Sequence, residues 1–110
     1  MLTTRQVRSG STVTVELSGD FVDAASDVAA RAFEWAALDA EIIDGQGALV
    51  IVALDNITAL DVAAVRQLVR LQDTLRGLPA RLVIAGVPPA LADTFESLQT
   101  HTDLEFREPL

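Results

Sequence analysis

Hydrophobic and polar positions divide the chain into short alternating stretches, one unbroken apolar run and two long stretches of helical period. Leu2 to Arg8 alternates loosely, and Ser9-Gly10-Ser11 marks a turn. Thr12 to Leu17, TVTVEL, is β-branched and puts Val13, Val15 and Leu17 on one face. Two such runs joined through glycine predict an antiparallel hairpin, ended by Ser18-Gly19-Asp20. From Asp23 to Ala40 the period becomes helical, with Asp23 as the N-cap. Asp27, Arg31 and Glu34 form a polar face there. Val28, Ala32 and Trp35 form an apolar row beside Ala29, Phe33 and Ala36, which makes Trp35 a core or core-edge aromatic. So many alanines imply close packing on a sheet.

Asp44-Gly45-Gln46-Gly47 reads as the loop into the most apolar stretch, Ala48 to Leu54. An unbroken run of that length, bounded by turn formers, suits a strand buried on both faces. Asp55 to Thr58 reads as a polar turn, and Asp61 as the N-cap of a helix from Val62 to Arg76. Ala64, Leu68, Leu71, Leu75 and Leu78 make its core stripe. A second row, Val62, Val65 and Val69, lies between Arg66 and Arg70; it either deepens the core or leaves an apolar edge for a partner. Gly77 is placed as the residue after the helix, and Pro79 as its stop. Arg81 to Ala85 is another buried strand, and Gly86-Val87-Pro88-Pro89 opens a third helix reaching Leu98, with Leu91, Phe95 and Leu98 inward. Leu104 to Phe106 reads as a short edge strand. The order is ββαβαβα(β): one α/β domain over residues 1–110, with helices packed on a mixed, mostly parallel sheet of roughly four to five strands.

Composition narrows the function. A chain of 110 residues is one domain with room for a core. No apolar run approaches the ~18 residues of a membrane span, and MLTTRQVRSGS lacks the apolar region of a signal peptide, so no membrane insertion and a cytoplasmic location are expected. The absence of cysteine excludes disulfides, thiol catalysis and zinc–thiolate sites. A formal charge of −8 argues against nucleic acid as a partner. All eight basic residues are Arg and alanine is abundant, as in a GC-rich bacterial genome.

Few residues could carry chemistry. His101, the single histidine, lies in a polar segment with no orienting partner and reads as a surface residue. Asp55 and Asp61 bracket the turn, but no further hard oxygen ligand stands at fixed spacing, so a strand-end turn former and a helix cap account for them. Thr58 offers a hydroxyl that a helix N-terminus would favour as phosphate, beside the plainer role of bonding its own backbone. No Ser/His/Asp triad, P-loop or Rossmann glycine pattern is present. Enzyme activity, a cofactor and a metal are not expected.

These elements, with the segment LVIVALDNITALDVAAVRQLV, resemble the STAS domain of bacterial anti-sigma factor antagonists. That family reads as an apolar strand, a polar turn, then hydrophobic-Asp-Ser-Ser/Thr-Gly-hydrophobic opening its second helix. Leu60-Asp61-Val62-Ala63-Ala64-Val65 lies on that motif. LSGDFVDAASDVAARAF is similar to the family's stretch into its first helix, and RLVIAGVPPALADTF to its fourth strand and following helix. The chain departs where the family is phosphorylated: that position falls on Ala63, the preceding Ser on Val62 and the Gly on Ala64. The resemblance therefore implies a non-enzymatic regulatory domain for sigma-factor and transcription control that is not switched at this position. Its implied partner is a protein, an anti-sigma factor or histidine-kinase-like ATPase, with a homodimer also open. The implied docking surface is Asn56, Thr58, Asp61, Val62, Ala63, Ala64, Val65, Arg66, Val69 and Arg70. Alternatives are a STAS subunit of a larger assembly, a stressosome-like shell or a lipid-transport ABC complex, and a small anionic ligand or nucleotide module using a helix N-terminus.

Overall fold

The computed structural model describes residues 2–22, 26–42, 47–78, 80–89, 91 and 105–107. Strands β1 (Leu2–Ser9) and β2 (Thr12–Phe21) form the hairpin, followed by α1 (Ser26–Ile42), β3 (Ala48–Leu60), α2 (Val62–Arg76), β4 (Ala80–Ala85) and β5 (Glu105–Arg107). The five strands lie in sequence order in one sheet. Among the described strands only the β1–β2 pair is antiparallel, and β2 through β5 are parallel. Gly10, at φ 60, occupies the hairpin turn, where positive φ matches the twist of the flanking strands.

The core follows the strand periods. Val13, Val15 and Leu17 of β2, Val50, Val52 and Leu54 of β3, and Leu82 and Ile84 of β4 join the helices in one buried cluster. Ile51, Ala53, Val83 and Ala85 occupy the intervening positions and are buried too, whereas Thr12, Thr14 and Glu16 of β2 are only half-buried. The continuous apolar run of β3 thus marks a strand covered on both faces, and the alternation of β2 one that is wetter on its second face. β1, an edge strand, buries only Leu2.

Two strands run further than their patterns suggest. Ser18-Gly19-Asp20 does not end β2, and Asp55–Thr58 is not a turn, because the two segments pair with each other: Ser18 with Asn56, Gly19 with Ile57, Asp20 with Ala59 and Phe21 with Leu60. Register shifts between Glu16 and Ser18 and between Gly19 and Asp20, with Gly19 at φ 100, absorb residues that break the alternation.

Helix α1 corrects the reading of its faces. Ala29, Phe33, Ala36 and Ala40 face the core, with Phe33 edge-on to Phe21 at 6.0 Å between ring centroids. Val28 and Trp35 turn outward, so Trp35 is not a core aromatic. Small side chains let the helix approach the sheet closely, and the bulky row is left outside. In α2 the expected stripe of Ala64, Leu68, Leu71 and Leu75 is buried. Gly77 keeps right-handed backbone at φ −75; the helix closes through bonds from Gly77 and Leu78 N–H to the Thr74 and Leu75 carbonyls. Asp23, most of the Asp44–Gly47 loop, Pro79, most of the third helix and His101 lie outside the described residues.

Candidate functional site at the β3–α2 junction

The junction is built from a strand that outlasts one of its neighbours. β4 pairs with β3 only as far as Ala53, while β2 accompanies it to Leu60. Beyond Leu54 the alternation slips by one residue at the register shift, so Ile57 rather than Asn56 joins the core and Asn56 and Thr58 are exposed. The Thr58 hydroxyl donates to the Asp20 carboxylate at 2.9 Å on the neighbouring strand instead of bonding its own backbone. Asp61 then turns the chain with extended backbone (φ −129), and its carboxylate accepts the Ala64 N–H at 3.0 Å, the expected cap of α2.

The helix that follows divides the expected docking residues in two. Val62 is 45% exposed, and Arg66 and Arg70 continue its row at four-residue intervals on the solvent side. Ala63 and Val69 are half-buried along its margins. Ala64 and Val65, 1% and 3% exposed, belong to the core and present no surface. Their inward direction follows from the sheet lying beneath that side of the helix. What the junction offers is Asn56, Thr58, Val62, Arg66 and Arg70 around a capped helix end, with Ala63 supplying no hydroxyl.

Asp55, the remaining candidate for chemistry among the described residues, is occupied structurally. It is an exposed residue of β3 whose carboxylate packs against Gly86, just past β4. Gly86 has φ +70, and a Cβ there would collide with that carboxylate, so the position requires glycine on both counts. Among the described residues, no group of three or more His, Cys, Asp or Glu stands together as a metal site would require. No described helix is long and apolar enough to cross a membrane.

The sequence reading missed one surface. Val28, Trp35, Leu38 and Ile42 of α1 are 43%, 59%, 49% and 65% exposed and form a row along its outer side. The signal was present as the seven-residue spacing of Val28, Trp35 and Ile42. A cleft of about 820 Å³ runs between this row and α2, over Phe33, Ala37, Leu71 and Leu78. A second of about 240 Å³ lies on the other side of Trp35, against Thr4, Arg5 and Gln6 of β1.

The fold has close counterparts among solved structures. An anti-sigma factor antagonist from Mycobacterium paratuberculosis superposes with a TM-score of 0.81 at 13% identity, over 96% of this chain and 85% of that one. The unphosphorylated anti-sigma factor antagonist SpoIIAA follows at 0.71 and 12% identity, over 98% and 90%. Apo-SiaC from Pseudomonas aeruginosa gives 0.53 at 13% identity, over 98% and 99%. Among curated proteins, none matches the chain by sequence. A family model described as MlaB, STAS domain, matches residues 4–105. With the order of elements agreeing along the whole sheet, the chain belongs to this STAS domain family.

Proposed function

We propose that this STAS domain is a non-enzymatic regulatory module that docks a protein partner through the β3–α2 junction. The observation that carries the reading is the exposed row Val62–Arg66–Arg70 at a capped helix start whose next residue, Ala63, has no hydroxyl. A phosphorylated side chain here would bring nearly two negative charges to the unpaired N–H groups of α2, and a partner would sense it. Ala63 leaves that end small and neutral, so binding is constitutive with respect to this position. Two similar folds are named for the antagonism of an anti-sigma factor, and SiaC is named as the activator of the diguanylate cyclase SiaD. Those names support a protein partner, and an anti-sigma factor or kinase-like ATPase is the class the motif fits.

Affinity capture from the host tests this, comparing the native chain with Val62→Glu/Arg66→Glu. Both positions are exposed, so the variant keeps its fold, and the captured partner is expected to be lost. Equal recovery by both proteins would refute the junction as the docking surface. Conversely, Ala63→Ser is expected to create a phosphate acceptor if the partner is a kinase, read by mass spectrometry after incubation with ATP.

A second reading, a subunit of a larger assembly, is favoured by the exposed apolar row of α1, which gives the domain another contact face. Light scattering of the purified chain, alone and with its partner, separates a one-to-one complex from a higher assembly.

A further inference from the structure

We infer that the outer face of α1 is a second docking surface, meeting the β3–α2 junction only at Arg70, whose occupant is a basic amphipathic helix of another protein. The face has the anatomy of a coiled-coil seam. Val28, Trp35 and Ile42 repeat at seven residues and Leu38 falls three beyond Trp35, the spacing of paired core positions. All four are exposed, and Trp35 stands between two clefts that would receive a partner's side chains. The helix is 17 residues long, which gives a track of about 25 Å at 1.5 Å per residue.

Charge decides what lies there. Asp27, Glu34 and Glu41 also repeat at seven and border the seam on the α2 side, and all three are exposed. Asp39 borders the opposite side, where Gln6 of β1 hydrogen-bonds its carboxylate. Arg31, the single cation of α1, falls on the seam itself three beyond Val28, and with Arg70 of α2 it lines the larger cleft beside Glu34 and Glu41. A second copy of this chain would place acidic rows against each other whichever way the two helices ran, at a formal charge of −8 each. An anionic lipid surface meets the same repulsion. A helix with aliphatic residues along one face and Lys or Arg at heptad spacing beside them satisfies both the apolar ridge and its acidic border.

The single tryptophan of the chain is the reporter. A tryptophan-free peptide of Leu and Lys in a heptad pattern is expected to shift Trp35 emission to the blue, saturably, while a Leu/Glu counterpart does not. Glu34→Lys/Glu41→Lys is expected to weaken the Leu/Lys peptide by about tenfold or more, the scale of two lost charge contacts. Asp55→Lys/Asp73→Lys changes net charge equally away from the seam and is expected to leave the affinity near its native value. No shift with the Leu/Lys peptide, an equal shift with the Leu/Glu peptide, or equal weakening by both pairs of substitutions would overturn the inference. A blue shift on concentrating the protein alone, or on adding phosphatidylglycerol vesicles, would assign the face to a second copy or to lipid and overturn it as well. Circular dichroism verifies that each variant is folded, and junction variants such as Val62→Glu should bind the peptide as the native chain does.

Discussion

Helices α1 and α2 lie side by side on one face of the sheet, yet they divide their apolar residues in opposite ways. α2 sends its large aliphatic residues, Leu68, Leu71 and Leu75, into the core and keeps Arg66 and Arg70 outside. α1 buries Ala29, Ala36 and Ala40 around one large side chain, Phe33, and leaves Val28, Trp35, Leu38 and Ile42 in water. A helix pressed close to a sheet needs small residues on its inner side, so its bulky residues are free for another task. The difference separates residues that hold the fold from residues that face outward. It also shows that apolar character alone does not reveal which is which.

Substitutions at matched positions sharpen this contrast, and the largest effect belongs to α2. Leu68→Ala empties a fully buried site and is expected to cost about 2–5 kcal/mol, read as a lower urea midpoint with an unchanged slope. If it cost no more than an exposed substitution, the inward face of α2 would be misassigned. Gly86→Ala forces left-handed backbone on alanine and drives its methyl group into Asp55; about 1–3 kcal/mol of destabilisation is expected. Adding Asp55→Gly should recover only the part due to the collision, and full recovery would mean that the backbone conformation is not strained. Asp61→Ala removes the cap of α2 and is expected to cost about 1 kcal/mol, whereas Asp61→Asn, an equally good cap, should be nearly neutral. Trp35→Ala completes the series at the small end, with a change within about 0.5 kcal/mol, because the ring is mostly in water. A loss of several kcal/mol there would place the indole in the core and erase the contrast.

How far the sequence disclosed this arrangement depended on whether a local signal had one physical reading. The unbroken run Ala48 to Leu54 and the alternation of TVTVEL each admit one, and the doubly covered β3 and half-wet β2 are what they describe. The Asp61 cap was equally legible, because a short oxygen-bearing side chain before a helical period has a single common use. Asp55-Asn56-Ile57-Thr58 carries the composition of a turn but forms a bulged strand, since the end of β2 supplies pairing partners that no local pattern announces. α1 misled for another reason. Two rows of its wheel are apolar, and choosing between them requires knowing how closely the sheet approaches. At the junction, the sequence groups Val62 with Val65 and Val69 as one apolar row, and that Val62 instead lines up with Arg66 and Arg70 while Ala64 and Val65 are buried emerged only once the sheet was in place beneath them. The motif's missing hydroxyl at Ala63 was legible only through the family pattern, because an alanine at a helix start has nothing unusual about it locally.

The central claim is that the β3–α2 junction, with no phosphate acceptor at Ala63, is where a protein partner docks. Hydrogen–deuterium exchange of the complex with the captured partner tests it most directly. Slowed exchange across residues 56–70, including the first turn of α2, is the predicted footprint, with the Leu68 core amides already protected in the free protein. Unchanged exchange over 56–70, with protection appearing elsewhere on the chain, would contradict the claim.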